Sequence, residues 1–206
     1  MPTTQTSMRK LPTQQRSKLR VEKIITCAQE FMAEEGIDSL TCGKVAERAG
    51  LPNATLYQFF PNKESIFEVI AERWLQANVQ VLEKNDPTHG QFSHWQGWIE
   101  SSLDADFVTY KNQKALLPLI SVMNASPALR VIEQHHDTLI KEHMKKGIRY
   151  FFKNLDEATI TLLAEITMTV SHSTLLKACA ANEEQAIWYL NSVKLMLNNL
   201  YLKHSF

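Results

Sequence analysis

Hydrophobic residues recur every three or four positions along most of this chain. The first clear run contains Val21, Ile24, Ile25, Ala28, Phe31 and Met32. This spacing places the side chains on one face of an α-helix, and no strand-like alternation of useful length interrupts it. Six glycines and seven prolines in 206 residues are too few for an all-β protein with many tight turns. The pattern predicts an all-α fold.

The charge balance and the cysteines limit the class of protein. Equal numbers of basic and acidic residues, 22 of each, exclude binding to nucleic acid by bulk charge but not by local patches. Cys27, Cys42 and Cys179 are too widely spaced for a disulfide framework or a zinc site, which favours a reducing compartment. The longest uncharged apolar run, Ala115–Met123, is too short to cross a bilayer. We expect a cytoplasmic protein without membrane association.

The beginning of the chain is basic and lacks periodicity. Five basic residues and no acidic residue lie within the first twenty positions: Arg9, Lys10, Arg16, Lys18 and Arg20. We predict a disordered arm over residues 1–16. The charge alone leaves two interpretations open, a solvated tail and an arm that binds phosphate.

Two short helices are predicted between two longer ones. Thr41 is a suitable N-cap for the first short helix, and Gly50 ends it. Pro52 suits the first turn of the second short helix, since its missing N–H has no partner there. Asn62 then caps a long helix that reaches Lys84. Two short helices joined by a glycine-containing turn predict a helix-turn-helix.

The second short helix lies in a segment that contains no acidic residue from Arg48 to Lys63. Side chains that can donate hydrogen bonds occur throughout it: Asn53, Thr55, Tyr57, Gln58 and Lys63. Such an edge suits a groove lined by phosphates. Lys63 lies in the first turn of the next helix, where free backbone N–H groups and a lysine together form an anion site. A tolerated surface lysine is the alternative interpretation.

Residues 20–73 resemble the N-terminal domain of the TetR/AcrR family of bacterial transcriptional regulators. The resemblance depends on an ordered set of matches: Ile24, Ile25, Ala28, Phe31, Gly36, Thr41, Val45, Ala46, Ala49, Gly50, Thr55, Leu56, Tyr57, Phe60, Lys63 and Glu64. The chain departs from the family at Pro52, where serine is common, and at Ala54, where glycine is common. Both departures change the surface that would meet DNA, so the operator sequence is not predicted.

The resemblance implies a dimeric, ligand-controlled DNA binder, usually a repressor, whose partner is a double-stranded DNA operator. It implies that Thr41, Thr55, Tyr57 and Lys63 contact phosphates and that Asn53, Ala54 and Gln58 lie nearest the base edges. We therefore expect four regions. They are an arm over residues 1–16, a helix-turn-helix domain over 17–62, a connecting helix over 63–84, and a ligand-binding and dimerisation domain over 85–206.

The last two predicted helices are apolar around most of their circumference. They cover residues 156–181 and 183–203 and contain two apolar faces each. One face would close the core of the monomer, and the other would form a homodimer with a two-fold axis and a near-palindromic operator. Burial of both faces within one chain is the alternative.

The region between the DNA-binding and dimerisation segments carries many aromatic residues and histidines. Small-molecule sites are mostly apolar with a few polar groups. We predict that a small hydrophobic effector binds to Trp95, Trp98, Phe107, Tyr110, Met123, His136 and His143. Ordinary core packing is the alternative for each of these residues.

The sequence gives little support for catalysis or for metal binding. It contains no nucleophile signature, no phosphate-binding glycine loop and no recognisable paired acids. The histidines have no second ligand pair at metal-binding spacing. We expect no catalytic residue, no metal and no cofactor. A small-molecule-binding helical enzyme and a non-DNA interaction module remain the alternatives to a regulator.

Overall fold

A computed structural model describes residues 8–113, 115–123 and 126–205, and these residues form helices without any strand. The α-helices of the described residues are α1 (Gln15–Glu35), α2 (Cys42–Arg48), α3 (Asn53–Phe59), α4 (Lys63–Lys84), α5 (Trp95–Lys111), α6 (Leu116–Met123), α7 (Pro127–Phe151), α8 (Glu157–Ala180) and α9 (Glu183–Leu202). A short 3-10 helix, Pro87–His89, follows α4. The predicted all-α fold is confirmed.

Backbone packing divides the chain into two units. The N-terminal unit contains residues 1–75 and 114–133, and the C-terminal unit contains residues 76–113 and 134–206. The division falls inside α4 and inside α7, whereas the sequence predicted a boundary after Lys84. Each unit has a hydrophobic core of its own.

The N-terminal unit is built on the apolar face that the sequence predicted for α1. The buried residues of this helix are Val21, Ile24, Ile25, Cys27, Ala28, Phe31 and Met32. α1 packs against α2, and α2 packs against α3. The turn between α2 and α3 requires Gly50, whose φ of 60° is strained for residues with a side chain. The sequence pattern therefore identified the helix-turn-helix correctly.

The predicted helix starts are confirmed at two positions and corrected at a third. The Thr41 side chain accepts a hydrogen bond from Lys44 N at 3.3 Å, and Asn62 Oδ1 accepts one from Ser65 N at 2.9 Å. Pro52 is the N-cap of α3 rather than part of its first turn. α5 begins at Trp95, and its N-cap residue His94 makes no side-chain capping hydrogen bond.

The end of α1 lies at Gly36. This glycine has a positive φ of 81°, but its ψ of 160° lies outside the left-handed helical region. The chain therefore leaves α1 in an extended direction instead of forming a left-handed cap.

The C-terminal unit is formed mainly by α5, α8 and α9 with the later part of α7. Trp95, Phe152 and Tyr201 pack together, with ring centroids 5.6–5.8 Å apart. The Tyr201 hydroxyl shares a 2.8 Å hydrogen bond with the hydroxyl of Thr167, so its buried polar end is satisfied. This core holds α5 against α8 and α9.

Candidate nucleic-acid interface

α3 has one buried face and one exposed face. Leu56 and Phe59 are buried and hold the helix in the N-terminal unit. The predicted base-edge residues Asn53, Ala54 and Gln58 are all exposed. Fixed backbone and free side chains are what a recognition helix requires, because its residues must reach base edges without moving the helix.

The predicted phosphate contacts gather near the start of α2. Thr41 is the exposed N-cap of this helix, and Cys42 follows it with a buried side chain. Burial raises the pKa of the Cys42 thiol, while a hydrogen bond with Tyr57 and the charge of Lys63 partly offset that rise. Tyr57 and Lys63 therefore both lie close to Cys42. Cys42, Tyr57 and Lys63, from three different helices, are therefore neighbours in the N-terminal unit.

Lys63 opens α4 and points a cation toward this surface. Its side chain is half-buried, and among the described residues it forms no ion pair. Asn62 caps the helix by accepting from Ser65 N, and the N–H groups of Lys63 and Glu64 precede this capped position in the first turn, where an α-helix has no internal acceptor for them. A half-buried lysine beside free N–H groups can hold one phosphate oxygen strongly. Thr55, the remaining predicted phosphate contact, is half-buried on α3.

The described part of the basic arm is attached to the end of α3. Arg9 N donates a 2.8 Å hydrogen bond to the carbonyl oxygen of Phe59. Between the arm and α3 lies an open groove of about 770 Å³. Its lining includes the basic residues Arg9, Lys10 and Arg20 together with Ala54, Tyr57 and Gln58. The sequence identified the charge of the arm but not its attachment to α3.

Lys44 is a cation that the sequence pattern did not single out. It is exposed in the first turn of α2, and its Nζ donates to Ser39 O at 3.1 Å. A shallow groove of about 480 Å³ between α2 and α3 is lined by Thr41, Gly43, Lys44, Glu47, Leu51 and Asn53. The sequence signal that could have identified Lys44 was its position three residues after the cap residue Thr41. Arg48, in contrast, pairs with Glu34 and Glu35.

Six of the seven predicted effector residues lie in the C-terminal unit. Trp98, Tyr110 and His136 are buried, and Phe107 and His143 are half-buried. Trp95 packs in the aromatic core of this unit. Met123 is buried in the N-terminal unit.

The structure adds two polar residues to this predicted set. The Tyr110 hydroxyl lies 2.6 Å from His172 Nδ1, although 62 positions separate them in sequence. Asp106 precedes Tyr110 by one turn of α5, and burial raises its pKa to about 7. The spacing of four on α5 was the only sequence signal for Asp106, and His172 had none.

Neither a metal cluster nor a membrane span occurs within the described residues. No group of three or more His, Cys, Asp or Glu side chains in residues 8–113, 115–123 and 126–205 is arranged to hold a metal ion. No helix in these same ranges has an apolar stretch long enough to cross a membrane.

The geometry of the N-terminal unit is that of a helix-turn-helix DNA-binding domain. Residues 24–70 match the family model for bacterial regulatory proteins of the tetR family. The class A tetracycline repressor from transposon 1721 of Escherichia coli is 37% identical over 62 residues, which are 30% of this chain and 29% of that protein. The N-terminal domain of this chain is therefore similar to that of the tetR family of bacterial regulatory proteins.

Solved structures extend the likeness of the fold beyond this domain. A transcriptional regulator from Rhodococcus sp. Rha1 has a TM-score of 0.73 at 12% identity, covering 90% of this chain and 98% of that one. SmeT, solved in complex with triclosan, has a TM-score of 0.69 at 18% identity, covering 90% and 91%. At these identities the likeness shows the fold alone. The chain spans about three tenths of the length of the tetracycline repressor.

Proposed function

We propose that this protein is a transcriptional repressor that binds a near-palindromic DNA operator as a homodimer and is released by a small hydrophobic effector. The observation that carries the proposal is the convergence of Thr41, Tyr57 and Lys63 beside the exposed edge of α3. Donor groups that surround a helix with exposed polar side chains suit a major groove and its flanking phosphates.

Each side chain has a distinct role in this proposal. Thr41, Thr55, Tyr57 and Lys63 hold phosphates and set the position of the domain on the duplex. Asn53, Ala54 and Gln58 face the base edges and select the sequence. The Ala54 methyl group suits contact with a thymine methyl group. Lys44 and the arm residues Arg9 and Lys10 extend the basic surface to either side.

The exposed faces of α8 and α9 support a two-fold dimer and therefore a two-fold operator. Ile160, Leu163 and Ala164 of α8 are buried in the C-terminal unit, whereas Leu162 and Ile166 are 59% and 43% exposed. On α9, Trp188, Leu195 and Leu202 repeat every seven residues and are 66%, 63% and 47% exposed. Contiguous apolar residues of this size favour a partner surface, and a second copy supplies the second recognition helix that a palindrome requires.

Release by an effector rests on the polar and aromatic residues inside the C-terminal unit. Trp98, Phe107, Tyr110, His136 and His143 supply apolar surface together with a few polar groups, as small-molecule sites do. The triclosan complex of SmeT, which shares the fold, supports this assignment. An effector that binds better to the form unable to hold DNA lowers DNA affinity, and DNA lowers effector affinity by the same factor.

The DNA-binding part of the proposal is tested by selecting binding sites from random duplexes and measuring variants on the selected DNA. We expect Lys63→Ala to weaken binding about tenfold on all sequences, since it removes a phosphate contact. Gln58→Ala should instead change the preferred sequence. Lys84→Ala is the matched control, because Lys84 is an exposed lysine at the far end of the same helix. Equal affinity of the Lys63 and Lys84 variants would refute the assigned site.

Tyr57 needs a second variant, because its side chain also interacts with the Cys42 thiol and lowers the pKa of that thiol. If Tyr57 contacts phosphate, Tyr57→Phe weakens DNA binding while Cys42→Ala, which removes only the internal partner, leaves it nearly unchanged. Equal losses in the two variants would assign Tyr57 a structural role.

A further inference from the structure

Three buried polar atoms of the C-terminal unit have no hydrogen-bond partner among the described residues. These atoms are Trp98 Nε1, Ser102 Oγ and His143 Nε2. Trp98 and Ser102 are one turn apart on α5. Trp98 packs on Gly147 of α7, and His143 lies one turn before that glycine. Native proteins leave few buried polar atoms without a partner, so this contact between α5 and α7 points to a polar ligand.

Asp106 lies one further turn along the same stripe of α5. Asp106 as a whole residue is half-buried, and burial of its carboxyl is the cause of its raised pKa. Within the described ranges we find no hydrogen bond or ion pair to this carboxyl. A buried carboxylate without a cation nearby is costly, because desolvation is not repaid by any charge of opposite sign.

The surroundings of Asp106 are acidic rather than basic. The pKa of Tyr110 is raised first by burial and then by Asp106, Cys179 and Asp137. His172, which contacts the Tyr110 hydroxyl, has its pKa lowered by burial, so it is a neutral acceptor or donor at pH 7. The groups around this position therefore include two carboxyls and neutral rings. Lys111, whose Nζ lies 5.3 Å from the centroid of the Phe107 ring, forms no ion pair with Asp106 among the described residues.

We propose that the effector of this protein carries a protonated amine on an apolar, aromatic-sized body, and that Asp106 binds the amine beside Tyr110 and His172. This inference rests on the proposed effector function and specifies its chemistry. The amine supplies the opposite charge that the carboxyl lacks, and a charge-assisted hydrogen bond in a low-dielectric interior is stronger than one at the surface. Trp98, Phe107 and Tyr110 supply the apolar contacts. A cation beside Tyr110 also benefits from its ring.

Direct binding of three matched probes tests the charge preference. The probes are 4-phenylbutylamine, 4-phenylbutanol and 4-phenylbutyrate, which share a body and differ in the charge of one end. Isothermal titration calorimetry at pH 8, with millimolar probe and without DNA, measures the affinity of each probe for the protein directly. We expect the amine to bind the full-length protein at least about tenfold more tightly than the alcohol and the anion to bind weakest. An alcohol that binds as well as the amine, or no binding of the amine, would overturn the proposal.

Two substitutions on α5 identify the carboxyl. Asp106→Asn should abolish the preference for the amine while leaving alcohol binding within about twofold, since its shape and polarity are kept. Asp104→Asn is the matched control, because Asp104 is exposed on the same helix and pairs with Lys194. An equal loss of preference in both variants would show that the effect is general to negative charge and would overturn the role of Asp106.

The same preparations distinguish this inference from the proposed function. Fluorescence anisotropy on selected duplex DNA measures DNA binding without any probe and with the amine. DNA binding that persists while the amine fails to bind refutes only the ligand chemistry. Amine binding that leaves DNA affinity unchanged supports the site and refutes release by this ligand class.

Discussion

The indole ring of Trp98 lies directly against the backbone of Gly147, in the space where any other residue would carry a Cβ. A Cβ at Gly147 would overlap the Cζ2, Cη2 and Cε2 atoms of that ring. Trp98 is fully buried and its ring also packs at 5.8 Å from that of Phe151. The close approach of α5 and α7 in the C-terminal unit therefore depends on this glycine.

Gly147→Ala should destabilise the protein by up to about 2 kcal/mol, because overpacking costs as much as about 3 kcal/mol and the gain in helix propensity is only about 1 kcal/mol. Gly97→Ala on α5 is the control, since no atom lies within 4 Å of the position that its new methyl group would take. That variant should be neutral or more stable by up to about 1 kcal/mol. Thermal and urea unfolding measure both. A Gly147→Ala protein as stable as Gly97→Ala would contradict the close packing of α5 on α7.

The arm is expected to add to DNA affinity without adding sequence preference. Arg9→Ala combined with Lys10→Ala keeps the backbone bond from Arg9 N to Phe59 O but removes two charges beside α3. If both charges meet phosphates, the slope of log affinity against log salt should fall by about 1.8 for each subunit, or about 3.6 for the proposed dimer. Arg130→Ala, at an exposed position on α7, is the charge control. An unchanged slope in the double variant would leave the arm as a solvated tail.

The DNA-binding domain could be predicted from the sequence because its features are local. The cap at Thr41, the turn at Gly50 and the exposed edge of α3 are each determined by residues within a few positions of one another. Spacing along the chain reports such features directly.

The features that the sequence did not predict join distant segments. Arg9 N bonds Phe59 O across fifty positions, and Tyr110 meets His172 across 62. No periodicity within either segment records such a pairing. The residues Trp98 and Tyr110 could be named as polar-aromatic candidates, but Asp106 gained significance only when its burial was known.

Asp86 should stabilise the folded protein only while its carboxyl is ionised. Burial of this carboxyl would raise its pKa, but hydrogen bonds from Lys146 and Thr88 outweigh burial and hold the pKa well below its usual value. A lowered pKa in the folded state stabilises the protein above about pH 4, and this stabilisation is lost as the pH falls further.

Asp86→Asn should therefore lower the free energy of unfolding at pH 7 by about 1–3 kcal/mol and flatten its decline below pH 4. Asp38→Asn, at an exposed position, serves for comparison. Urea unfolding at pH 7, 4 and 3 gives the result. A parallel acid decline in the Asp86 variant and the parent protein would show that Lys146 does not stabilise the ionised form.

Asp106 should have the opposite effect on the pH dependence of stability. Because burial raises its pKa to about 7, the folded protein keeps a proton that the unfolded chain loses near pH 4. Ionisation of this carboxyl therefore costs stability increasingly from about pH 4 to pH 7, and the cost is constant above that. Burial lowers the pKa values of His143 and His172, so these two residues destabilise the folded protein as the pH falls. Their contribution is the same in the parent and in the variant.

Asp106→Asn removes this cost, so its melting temperature should exceed that of the parent by about 3 °C or more at pH 8 and by less at pH 5. Asp104→Asn should show no such pH-dependent difference, because Asp104 is exposed and paired with Lys194. Differential scanning calorimetry at the two pH values measures the effect. If the melting temperatures of variant and parent differed equally at pH 5 and pH 8, the Asp106 carboxyl would have the same ionisation state at both pH values.

Dimer formation should depend on the stripe of α9 that is exposed in the single chain. Trp188→Lys combined with Leu195→Lys places two charges on residues that are 66% and 63% exposed, so the folded monomer tolerates them. At an interface between two copies the same lysines would be desolvated without partners. The expected product is a folded chain of 23.6 kDa by light scattering, against twice that mass for the parent.

The monomeric variant should also lose about a hundredfold or more in affinity for a full palindrome, because two linked recognition helices bind as one unit, while its affinity for a single half-site stays unchanged. Val131→Lys is the matched control, since Val131 is 58% exposed but lies on α7. A double variant that keeps the dimer mass would place the interface elsewhere. A monomer that binds the palindrome as well as the parent would show that two-fold pairing is not needed for recognition.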